Sequence, residues 1–132
     1  MTPADHAALS AQLARAIGYY PESVRVILGT CIVYRLGVSW HGTTPLNASS
    51  SRWQELHYRD PTVWGPVLEW LIKEHWALPA WNRPDRKYML MLDGKNCYGT
   101  TLPEAIARAA IAVAEKRRKR VEQNEAREVL QP

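Results

Sequence analysis

Apolar residues recurring at steps of three and four mark three helices along this chain, and strand-like runs lie between them. Near the N-terminus Leu9, Leu13, Ala16 and Ile17 share one face, the spacing of an amphipathic helix. Thr2 stands before Pro3, which suits a first turn because its missing amide would have no partner there, and Gly18 supplies the stop. Residues 24–28 (Val-Arg-Val-Ile-Leu) and 31–36 (Cys-Ile-Val-Tyr-Arg-Leu) predict two strands with a turn near Gly29. The stretch 37–60 holds Gly42, Pro45 and an Ala-Ser-Ser-Ser run, and reads as a long connection, mobile near the serines and anchored at its ends by Trp40 and Trp53.

Asp60-Pro61 is a helix-start signal with Asp60 as the cap, but Pro66 would break an interior turn, so a regular helix is expected only from residues 63–65. Trp64, Val67, Leu68, Leu71, Ile72 and His75 then cover one broad face flanked by Trp70 and Trp76, making this the expected central helix. Pro79, Asn82 and Pro84 make residues 77–85 a loop. The run Lys87-Tyr88-Met89-Leu90-Met91-Leu92 is apolar on both sides, hence a strand central in its sheet or covered on both faces. Asp93-Gly94 is a hairpin turn, and residues 95–99 return as the partner strand.

In the closing helix Thr101 and Glu104 form a T-x-x-E capping box. Leu102, Ile106, Ala109 and Val113 make its stripe; continued, the stripe lands on Lys116, Arg117 and Arg120, so core burial should end near Ala114. The order αββαββα predicts an α+β fold, an antiparallel sheet of about four strands covered by helices. It divides into a single domain over residues 1–114 and a charged extension over 115–132, either a solvated helix or a frayed tail.

Apolar residues at 46% and charged residues at 23% fit a globular chain. Phe is absent while Trp and Tyr number six each, so all the aromatic area carries a polar handle, which favours half-buried positions and contact surfaces. Of the 17 basic residues five are consecutive, Lys116, Arg117, Arg118, Lys119 and Arg120, and they hold much of the net charge of +4. Cys31 and Cys97 lie far apart and read as free thiols of a cytoplasmic protein. No apolar run approaches the ~18 residues of a spanning helix, and no export signal is visible, so no membrane association is expected.

Four features could carry chemistry. Residues 10–27 place Ala14, Gly18, Val24 and Ile27 at helix-turn-helix offsets, but residues 24–28 prefer strand, so helix, turn and strand is the favoured reading. The basic run could neutralise phosphates; a solvated helix end that suits the C-terminal dipole is its plainer explanation. His6, His41, His57 and His75 are scattered, neither cysteine has a metal spacing, and a Cys31 thiolate paired with His57 or His75 has no local support. No Gly-rich phosphate loop is present. Catalytic residues, cofactor and metal are therefore all expected to be lacking. All six tryptophans fall within residues 40–81, more than one small core absorbs. Trp53, Trp76 and Trp81 are the expected exposed ones and, with Arg59, the candidate partner-binding residues.

The segments Leu13-Ala14-Arg15-Ala16-Ile17-Gly18-Tyr19, Trp53 with Tyr58-Arg59-Asp60-Pro61, and Leu102-Pro103-Glu104-Ala105-Ile106-Ala107-Arg108-Ala109 together resemble the phage ABA sandwich family, small phage and prophage proteins. The serine-rich connection before Asp60 and the charged tail depart from the pattern. The resemblance implies a phage origin and an αβα sandwich, a sheet between helical layers; it carries over no catalytic residues. The reading that follows is a non-catalytic phage or prophage accessory protein of the host cytoplasm. It would bind a protein or ribonucleoprotein complex, as an inhibitor of host antiviral defence such as an anti-CRISPR does. The alternative is a small nucleic-acid-binding or transcription-regulatory protein using residues 116–120 and the N-terminal turn.

Overall fold

Helix α1 (Pro3–Ala16) begins on a complete capping box: Asp5 N donates to Thr2 Oγ1 at 3.2 Å, and Thr2 N donates to Asp5 Oδ2 at 2.9 Å. It ends in a Schellman motif about Gly18 (φ 112°), with Tyr19 N donating to Ala14 O and Gly18 N to Arg15 O. This computed structural model describes residues 1–34 and 53–130. The expected mobility of the serine run, Trp40 and His41 lie outside the described residues.

After a single 3-10 turn at Pro21–Ser23 the chain enters β1 (Val24–Ile27) and returns as β2 (Thr30–Tyr34). A strand therefore stands where the second helix of a helix-turn-helix would be, which removes that motif: the β-branched side chains pack better on a pleated surface. The turn residues Leu28 and Gly29 both have positive φ, the two-residue geometry that matches strand twist. A third strand, β3 (Trp53–Glu55), pairs antiparallel with β2, so the first sheet runs β1-β2-β3.

Helix α2 (Pro61–His75) starts at Pro61, earlier than expected. Asp60 Oδ1 accepts from Thr62 N at 3.0 Å and from its hydroxyl at 2.8 Å. Pro66 sits inside the helix, where it forgoes one bond to the carbonyl four residues back, and the helix continues regardless. The buried face is also rotated from the expected one. Trp70 is buried beside Val63, Val67 and Leu71, whereas Ile72 is exposed, because the Trp70 indole finds an acceptor in Glu74 Oε2 at 2.5 Å.

The predicted loop after α2 contains a strand, β4 (Leu78–Asn82), which pairs with β5 (Lys87–Leu92); β5 pairs in turn with β6 (Lys95–Gly99). Pro79 is compatible with this because β4 is an edge strand, where one side of the backbone makes no ladder bonds. As expected, β5 is central and Asp93-Gly94 makes the tight turn, with Gly94 at φ 79°. Among the described residues there are thus six strands in two three-stranded antiparallel sheets, where about four in one sheet were expected.

Helix α3 (Leu102–Leu130) occupies the centre in place of α2. It packs against α1, α2, β5 and β6, while α1 packs against β1 and β2, so contact runs from one sheet through α1 and α3 to the other. Ala105, Ile106, Ala107, Ala109 and Ala110 are accordingly all buried; the alanines let neighbouring backbones approach on several sides, and burying Ile106 contributes roughly 1.5–3 kcal/mol. The cap differs in detail from the expected box. Thr101 Oγ1 accepts from Glu104 N, but Glu104 Oε2 reaches one residue further back, to Thr100 N at 3.0 Å and the Thr100 hydroxyl at 2.9 Å. From residue 115 through 128 the helix is exposed.

Candidate functional site

The end of α2, the β5–β6 turn and the basic stretch of α3 enclose a groove of about 650 Å³. At the end of α2 Trp76 adopts the left-handed conformation (φ 54°, ψ 35°) and its amide donates to Leu71 O. Glycine normally fills such a position, since a Cβ there is strained. The indole is 83% exposed, so little of its apolar area is returned by packing.

The opposite wall is α3. Lys116, Arg117, Lys119 and Arg120 line the groove, following Ala112 and Val113 along the same side, and Lys95 joins them from the start of β6. Arg118 is not among the lining residues, as helical geometry requires of a residue about half a turn from Lys116 and Arg120. Three acids, Glu74, Asp93 and Glu115, also line it. Arg117 is partly tied down: its guanidinium is 5.5 Å from the Trp70 ring centre and 4.0 Å from Glu74 Oε2, which joins the exposed half of α3 to α2. Among the described residues no ion pair is made by Lys95, Lys116, Lys119 or Arg120. A second hollow of about 430 Å³ adjoins, sharing Trp76, Leu92 and Asp93 and adding Leu78 and Met91.

The remaining candidates are dispersed. Trp53, 37% exposed, lies on the first sheet, 5.4 Å from the Tyr34 ring centre and covered by Arg25 at 4.8 Å. Trp81, 50% exposed, lies on β4 with its ring edge-on to Tyr88 at 4.8 Å. Arg59 extends over the Tyr58 ring at 5.7 Å. Of the four residues singled out as partner-binding candidates, Trp76 lines the groove with the basic residues, and Trp53, Arg59 and Trp81 are not among its lining residues. Missing from the sequence reading was Lys95, whose place beside Arg120 depends on how the hairpin packs on α3.

A second polar cluster joins α1 to the segment before α2. His6 Nδ1 and Tyr58 Oη are hydrogen-bonded at 2.6 Å, and the rings of His6, His57 and Tyr58 lie 5.1–6.0 Å apart. Desolvation, then the Arg59 charge and the His57 ring, hold His6 below its ordinary 6.5. Both thiols are buried; desolvation raises the Cys97 pKa and pushes Cys31 up to about 11, the reverse of what a thiolate nucleophile needs. Among the described residues no group of three or more His, Cys, Asp or Glu is placed to hold a metal, and no helix is long and apolar enough to cross a membrane.

Fold and site together define a mixed α/β protein with two antiparallel sheets and a basic groove bordered by one exposed tryptophan. Comparison with known protein families, characterised proteins and solved structures finds no match to this chain.

Proposed function

We propose that this protein works by binding a macromolecular partner, without catalysis, and that its contact face is the groove bordered by Trp76. The observation that carries this reading is the placement of Trp76 itself. A large indole, exposed and held in backbone geometry that favours glycine, shares the groove with four cationic side chains that make no ion pair among the described residues. Strain and exposed apolar area both cost stability, and such features concentrate where a chain is shaped for contact.

The phage or prophage setting, kinship with the phage ABA sandwich proteins and a site of action in the host cytoplasm belong to the same proposal and rest on the resemblance of the three segments. In that setting the partner is a protein or ribonucleoprotein complex of host antiviral defence. The test is photo-crosslinking in cells from a reactive residue placed at position 76, with position 86 as a distant control. A discrete adduct from position 76 alone is expected. Equal labelling from both positions, or none, would overturn the reading.

The alternative, nucleic-acid binding, loses its N-terminal half because residues 24–27 form a strand. Its basic half is favoured by the four groove-lining cations of residues 116–120.

A further inference from the structure

Granting that the groove is the contact face, we infer that it takes a single strand of nucleic acid, with a base laid on Trp76 and adjoining phosphates held by Lys95, Lys116, Lys119 and Arg120. The occupant must satisfy two kinds of surface at once. One wall is cationic; the rim is a flat indole that also borders the second hollow, where Leu78, Met91 and Leu92 lie beside Asp93. An acidic peptide would match the wall but leave the indole and the adjoining hollow uncovered. A nucleic-acid strand offers anionic phosphates spaced between flat bases, the pairing that single-strand sites exploit with basic grooves and aromatic platforms. The Asp93 and Glu115 carboxylates can accept hydrogen bonds from base amino groups.

Size and access select a single strand over a duplex. At about 650 Å³ the groove is in the range of small-molecule sites, a volume that takes a short length of strand and not a double helix. Stacking on Trp76 needs an unpaired base face, which a duplex conceals. Arg117 contributes less than its neighbours because Glu74 and the Trp70 ring already hold it.

The test is fluorescence anisotropy of the full chain with short labelled oligo-dT and oligo-rU, and with a labelled duplex, over a salt series. Four cations contacting phosphates predict a slope of about −2 to −3 in log K against log salt. Trp76→Gly should weaken binding about 5- to 150-fold, from a stacking contribution of about 1–3 kcal/mol per base, while leaving the slope unchanged. The double substitution Lys116→Ala with Lys119→Ala should flatten the slope by about 1.4. Arg118→Ala, outside the groove, should have a smaller effect than Lys116→Ala. Thermal melts of each variant separate lost binding from lost folding. Preferential binding of oligo-dT or oligo-rU supports the inference and says which sugar is favoured. Failure to bind either at low salt overturns it, as does duplex binding equal to single-strand binding with Trp76→Gly silent. A protein adduct from position 76 without oligonucleotide affinity ends this inference and leaves the contact-face reading standing.

Discussion

The backbone amide of Tyr58 donates to the Ser10 hydroxyl at 3.1 Å, both residues sealed from solvent, and so ties the segment before α2 to the middle of α1. The residues are 48 apart in sequence. A polar side chain within the apolar stripe of α1 thus satisfies a buried amide that has left its sheet.

Ser10→Ala should therefore cost about 1–3 kcal/mol in chemical denaturation, the penalty for stranding a buried donor. Tyr58→Phe should cost less, because it removes only the bond to the partly exposed His6, whose ring nitrogen water can serve. A Ser10→Ala variant as stable as the parent would show that water replaces the hydroxyl.

Gly99 is where β6 meets the start of α3. A Cβ added there would fall 2.6 Å from Ala105 N and 2.9 Å from Thr101 O, both backbone atoms that cannot swing aside. Gly99→Ala should destabilise the protein by about 1–3 kcal/mol. Gly94→Ala meets no atom within 4 Å but must hold φ at 79°, so only the conformational cost of about 1–2 kcal/mol applies. Thermal melts of the two variants compare packing with backbone strain.

Glu104 makes stability depend on pH. Burial acts to raise its carboxyl pKa, but hydrogen bonds from the Thr100 hydroxyl, Arg108 and the Thr100 amide outweigh it and hold the group below its ordinary 4.5. A depressed folded-state pKa contributes stability that is present above about pH 4.5 and lost as pH falls through the folded value. Glu104→Gln should thus be less stable than the parent at pH 7, with a smaller difference below pH 4. Urea midpoints measured across that range check it, and a difference that widens on acidification would refute it.

Leu28 is 99% exposed and sits at φ 50° in the β1–β2 turn. Asn-Gly is the pair this turn favours, and nothing is lost by removing a side chain that packs on nothing. Leu28→Asn should raise stability by about 0.5–1 kcal/mol, read as a higher denaturation midpoint with an unchanged slope. A lowered midpoint would mean that the leucine has a neighbour in solution.

The sequence by itself determined the features governed by nearest neighbours. Thr2 and Asp60 cap their helices, Gly18 ends α1, and the turns at Leu28-Gly29 and Asp93-Gly94 close their hairpins, because each depends on residues within a few positions. Tertiary structure decided what depends on distant partners. Strand β4 forms across Pro79 because β5 lends it a ladder on one side. Trp70 turns inward and Ile72 outward because Glu74 can receive the indole N–H and α3 lies against that side of α2. The basic run was visible as charge. That its side chains face Lys95 and Trp76 across a groove follows only once a hairpin and two helices have packed, and helical period alone cannot say what stands opposite.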